Sequence, residues 1–109
     1  MSKFDEKLAT YEAALKKIDS SADMELLRKI TKGLGPSIYN NDSNKVACSQ
    51  KSELERVNTN FCQKKLGVSA DKGEAAVAAA CEKYSERTKH RAVFYYIVVK
   101  DLGKESVYA

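Results

Sequence analysis

Eight consecutive apolar residues, Ala92-Val93-Phe94-Tyr95-Tyr96-Ile97-Val98-Val99, have to be buried by a chain of only 109 residues. Valine, isoleucine and tyrosine favour strands, so propensity alone makes this run a strand. No other segment offers it a partner, and a lone strand would leave its backbone amides and carbonyls unpaired in the core. A helix satisfies those groups internally. The run is therefore predicted to be helical and central, with Val93 and Ile97, or Phe94, Val98 and Leu102, as stripes on adjacent faces and Gly103 closing it. It is far shorter than the roughly 20 residues that cross a bilayer, and no apolar segment follows Met1, so neither a membrane span nor a signal peptide is expected.

A central helix needs others around it. Phe4, Leu8, Tyr11, Leu15 and Ile18 recur at helical spacing and predict a helix over 3–18, with Ser2 as its cap. Leu26, Leu27 and Ile30 follow Ser20, Ser21 and Asp23 and predict a second over 22–32, ending at Lys32 and Gly33. Leu54, Val57, Phe61 and Leu66 predict a third, introduced by Ser49 or by a capping box from Ser52 to Glu55 and stopped at Gly67. The alanine-rich segment 74–84 predicts a fourth, with Val77, Cys81 and Tyr84 on one face. The expected fold is all-α: a compact bundle of about five helices, one helical domain over 1–109. Lys16-Lys17-Ile18 with Ser21-Ala22-Asp23 returns as Lys64-Lys65-Leu66 with Ser69-Ala70-Asp71. Elsewhere the apolar phases do not superimpose, so the echo is read as one way of joining antiparallel helices, used twice.

Between helices two and three lies one long irregular loop, from Gly33 to Lys45. Pro36 is placed to begin a single helical turn through Tyr39, with Ile38 and Tyr39 anchoring the loop. Pro36 lacks an amide hydrogen and no Gly-Lys-Ser or Gly-Lys-Thr follows, so this is no phosphate loop. Long ordered loops carry function more often than short ones. Ser37, Tyr39, Asn40, Asn41 and Asp42, with the adjoining Tyr95, are accordingly the candidate partner-binding residues.

Nineteen basic and 15 acidic residues leave a net charge of +4. The one concentration is Lys83, Arg87, Lys89 and Arg91 beside His90, with Glu86 among them, and these five basic residues are the candidate phosphate contacts. Four cations neutralise only a few phosphates, and the patch lacks interleaved aromatics for base stacking, so any nucleic-acid binding should be weak. Arg91 is also expected to turn inward, its stem packing while its guanidinium finds a carboxylate or a carbonyl.

Cys48, Cys62 and Cys81 are odd in number, which predicts free thiols and a reducing compartment. With His90 they match a zinc set in kind, but gaps of 14, 19 and 9 residues lack the close pairs of a zinc knuckle. A nucleophilic cysteine would need His90 as its base, the single imidazole in the chain. Acidic residues mostly alternate with Lys and Arg on helix surfaces, so no catalytic constellation, cofactor site or metal site is expected.

Ser2-Lys3-Phe4-Asp5-Glu6-Lys7-Leu8, the stretch Ile30 to Asn40, Val46-Ala47-Cys48-Ser49, Lys64-Lys65-Leu66-Gly67, Arg91 to Tyr96 and Gly103 to Tyr108 resemble the bacterial domain of unknown function 2853 family. The resemblance covers most of the chain, departing around Ser85 to His90, where a longer, Asn-rich connection is expected. It implies a small bacterial cytoplasmic protein and brings no activity, cofactor or catalytic residue with it. The expected function is that of a helical interaction module without catalysis, meeting a protein or small molecule through the loop. The alternative is weak nucleic-acid binding through the basic patch.

Overall fold

The computed structural model describes residues 3–40, 44–85 and 89–108. Five α-helices follow one another: α1 (Lys3–Ile18), α2 (Met24–Leu34), α3 (Lys51–Val57), α4 (Ala70–Lys83) and α5 (Arg91–Leu102). Gly35–Tyr39 and Glu105–Tyr108 form 3₁₀ turns, and α3 runs on into a π-helical segment, Asn58–Gln63. The described residues contain no strand, only an isolated antiparallel bridge between Lys45 and His90. None of these helices is long and apolar enough to cross a membrane.

α5 is the centre, as the apolar run predicts. Every residue from Ala92 to Val99 is buried, and α1, α2 and α4 all pack against this helix. From α1 come Leu8, Tyr11 and Leu15, and from α2 Leu26, Leu27 and Ile30. Phe61, in the π segment, stacks on Tyr95 with ring centroids 3.8 Å apart and planes inclined by 14°. The Tyr96 hydroxyl accepts a hydrogen bond from the Asp23 backbone amide at 2.8 Å, so α5 also holds the start of α2.

Helix ends differ in detail from the sequence expectation. Asp23 caps α2, its carboxylate accepting from the amides of Glu25 and Leu26 at 3.0 and 3.1 Å. Gly33 does not end α2; the helix continues to Leu34, and Gly35, at φ +63°, makes the turn. A left-handed φ suits glycine, whereas Gly33 is merely tolerated within the helix. Gln50 precedes α3 without a side-chain cap, so neither Ser49 nor the Ser52 capping box is used. α4 begins at Ala70, four residues before the expected Glu74, because the Ser69 hydroxyl accepts from the Lys72 amide. In the echoed segments Asp23 caps one helix and Ser69 the other, positions that are not equivalent at the 48-residue offset. Ser2, the expected cap of α1, lies outside the described residues.

The π segment widens the turn so that Phe61 and Cys62 both face the core alongside Val57 and Leu66. α4 lies close against it. A Cβ on Gly73 would approach the Cys62 Cβ to 2.9 Å and also meet the Asn58 side chain, which donates to the Ala70 carbonyl at 3.0 Å. Gly73→Ala should therefore destabilise the protein by about 1–2 kcal/mol, overpacking outweighing the roughly 1 kcal/mol that alanine contributes as a helix former. Urea unfolding followed by circular dichroism measures the difference.

Candidate interaction surface

The loop and the basic patch, read from sequence as separate candidates, meet in space. The Val46 amide donates to the Lys89 carbonyl at 2.8 Å and the Arg91 amide to the Asn44 carbonyl at 2.7 Å, on either side of the Lys45–His90 bridge. Inside the loop, Asn44 is buried and its side-chain amide donates to the Ile38 carbonyl at 3.2 Å. Ile38 and Val46 are buried, at 1% and 4% exposure. Ile38 is thus an anchor, as expected. Tyr39 is not, since it stands 45% exposed at the end of the 3₁₀ turn that Pro36 opens.

Arg91 turns inward and joins the two sides. One guanidinium nitrogen donates to the Tyr95 hydroxyl at 3.0 Å; the other donates to the Lys45 carbonyl at 3.2 Å and pairs with the Glu53 carboxylate. Burial acts against the guanidinium charge, while the Tyr95 hydroxyl and Glu53 outweigh it and raise the Arg91 pKa. Tyr95 is itself 9% exposed, between Phe61 and Arg91 and tied to the loop through Arg91, and burial raises its pKa despite the nearby Arg91 charge. Glu53 and the Lys45 carbonyl carry no sequence signal of this role. They are supplied by tertiary packing alone.

Of the remaining candidates, the Ser37 hydroxyl donates to the Leu34 carbonyl at 2.8 Å and Asn40 is exposed. Lys83 pairs with Asp101 on the neighbouring α5. Lys89 is partly exposed, and the His90 ring packs against Tyr11 with centroids 5.1 Å apart. The His90 amide donates to the Tyr84 hydroxyl at 3.2 Å. Burial raises the Tyr11 pKa, with smaller contributions from Tyr39 and Tyr84. Asn41, Asp42 and Arg87 lie outside the described residues.

The cysteine expectation is overturned. Cys48 and Cys81 form a disulfide, with Cα atoms 6.0 Å apart across 33 residues of sequence, and Cys62 alone is a free thiol. An odd count shows only that one cysteine is left over; it does not prevent the other two from meeting when the chain before α3 folds onto the last turns of α4. Burial pushes the Cys62 thiol up to about 11. Among the described residues, no group of three or more His, Cys, Asp or Glu side chains is arranged to hold a metal ion.

A family model described as protein of unknown function (DUF2853) matches residues 10–106. No curated protein matches the chain.

Arg91→Ala strands a partly buried carboxylate and a carbonyl. It should cost about 2–3 kcal/mol, below the loss for a fully buried pair because Arg91 and Glu53 keep some exposure. Arg91→Lys should recover only part of this, lacking the planar fork. Chemical denaturation of both variants checks the order. Thiol titration of the oxidised chain in denaturant without reductant should find one thiol, and three after reduction.

Proposed function

The chain belongs to the DUF2853 family of proteins of unknown function, and from that premise we propose that it is a small, non-catalytic, cytoplasmic interaction module that meets a protein partner through the crest of the 35–47 segment. The observation that carries this reading is the position of Tyr39. Together with Val107 it is one of the two exposed large hydrophobic residues among those described, and it projects from a segment whose neighbouring Ile38 is buried. Tyrosine is enriched at protein interfaces, where its ring fills a pocket and its hydroxyl tolerates the wet rim. Tyr39 stands on a turn already fixed by buried Ile38 and by the Asn44 bond to the Ile38 carbonyl, so it loses little backbone freedom on binding, which favours affinity.

The nucleic-acid alternative has a narrower base. Arg91 is turned inward onto Glu53, Tyr95 and a carbonyl, and Lys83, though exposed, is partly neutralised by Asp101, so the patch offers less positive charge than the sequence counts. Each missing phosphate contact removes about 0.9 from the slope of log affinity against log salt.

Two measurements separate these readings. Wild-type protein, Tyr39→Ala and a Lys83, Arg87, Lys89 triple alanine variant serve as parallel baits, and the captured protein is then purified and titrated by calorimetry. Its affinity should fall about 30-fold or more for Tyr39→Ala, the scale of an interface hot spot, and change little for the triple variant. An unchanged affinity for Tyr39→Ala would remove the crest from the interface. Fluorescence anisotropy with labelled DNA and RNA should show no submicromolar binding at about 150 mM salt. Tight binding that survives there and vanishes in the triple variant would favour the alternative.

A further inference from the structure

We propose that the Cys48–Cys81 disulfide is a reversible clip: a dithiol reductant opens it, and the 44–50 segment then loosens from α4 and α5 while the helical core stays folded. The proposal concerns the motion of this segment and does not depend on the identity of any partner.

Placement is the first support. Cys48 lies in a turn, within a stretch that has no regular secondary structure between residue 44 and the start of α3. Cys81 lies near the end of α4, and the bond is the single covalent tie between them. Without it, the stretch is held at its start by buried Asn44, which bonds Asn40 and Ile38, by the Val46 and Arg91 amide bonds on either side of the Lys45–His90 bridge, by the Arg91 contact to the Lys45 carbonyl and by burial of Val46, and at its end by the turn from Ala47 to Gln50 that leads into α3; between these, Cys48 keeps only its packing against the core. Irregular segments outside the helical core open at lower free energy than the fold as a whole.

Access is the second. Cys48 and Cys81 are both partly exposed, and an attacking thiolate has to reach one of the two sulfurs. Cys62, in contrast, is completely buried. With its thiol pushed up to about 11 it is protonated at neutral pH and takes no part in exchange. Within one chain, exchange is therefore confined to one pair, and the bond that re-forms there is the one it started with.

The core supplies the third. The helices that enclose α5 bury Leu8, Leu15, Leu27, Ile30, Val77 and Ala80 against it independently of the disulfide. Opening the bond removes a tie from the periphery and leaves this packing in place.

The chemistry balances with a dithiol as the reductant. Its thiolate attacks one protein sulfur, the S–S bond breaks, and the displaced cysteine leaves as a thiolate that takes up a proton. The second thiol of the reductant then displaces the remaining cysteine from the mixed disulfide. Two electrons and two protons pass to the protein, giving Cys48 and Cys81 as thiols, and the dithiol becomes a cyclic disulfide.

Hydrogen exchange read by mass spectrometry tests the proposal on the full chain, oxidised, reduced with dithiothreitol under native conditions, and reoxidised with glutathione disulfide. A Cys48→Ser/Cys81→Ser variant mimics the open clip, and the reduced wild type carries the test if that variant does not fold. In the reduced chain, amides of 44–50 should exchange at least about tenfold faster than in the oxidised one, while the interior of α5 keeps at least about a hundredfold protection over an unstructured peptide. Reoxidation should restore the original pattern in a monomer with one free thiol. A bond that resists native reduction, unchanged protection at 44–50 after it opens, or collapse of α5 protection would each overturn the proposal.

Discussion

Successive residues of an α-helix turn by about 100°, so eight consecutive buried positions point in nearly every direction around the axis. Such a helix cannot lie on the surface of a bundle; it has to be enclosed. That requirement on Ala92 to Val99 organises the rest of the chain, since α1, α2, α4 and the π segment each cover part of it. The tyrosines within the run let it emerge where polar groups are needed. Tyr96 reaches the Asp23 amide and Tyr95 reaches Arg91, each burying a ring while giving its hydroxyl a partner.

Elimination of a partner strand, rather than propensity, is what makes α5 legible in the sequence. The stripes of α1 and α2 are legible for a different reason, since one-sided burial leaves the 3.6-residue period intact. The π segment is hidden because Phe61 and Cys62 fit an ordinary helical reading within one residue, and only the packing of α4 shows which period is used. Gly33 and Gly35 are equally plausible stop signals by type, and the choice between them rests on backbone geometry. The disulfide is hidden more deeply, because its halves stand 33 positions apart in the sequence and nothing local in either neighbourhood points to the other.

Of the candidate surface, the inward course of Arg91 is legible, since a long stem at the head of an apolar helix can pack while its planar head seeks acceptors. The identity of those acceptors is not. Glu53 and the Lys45 carbonyl come from segments 38 and 46 residues away, and their convergence depends on how the chain before α3 lies across the start of α5. The same convergence merges the loop and the basic patch, whose separation along the chain conceals that the Lys45–His90 bridge joins them.

Gly73 and the π segment form a lock with two halves. The widened turn sets Asn58 and Cys62 against α4, and the missing side chain at position 73 is what lets α4 come close. A π turn is equivalent to one residue inserted into an α-helix. Deleting a residue from 58–63 would restore the regular winding, draw those side chains back and relieve position 73 of its need for glycine. Chain length in one helix and residue type in the next are thus coupled: what a side chain at position 73 costs depends on whether the π turn is present.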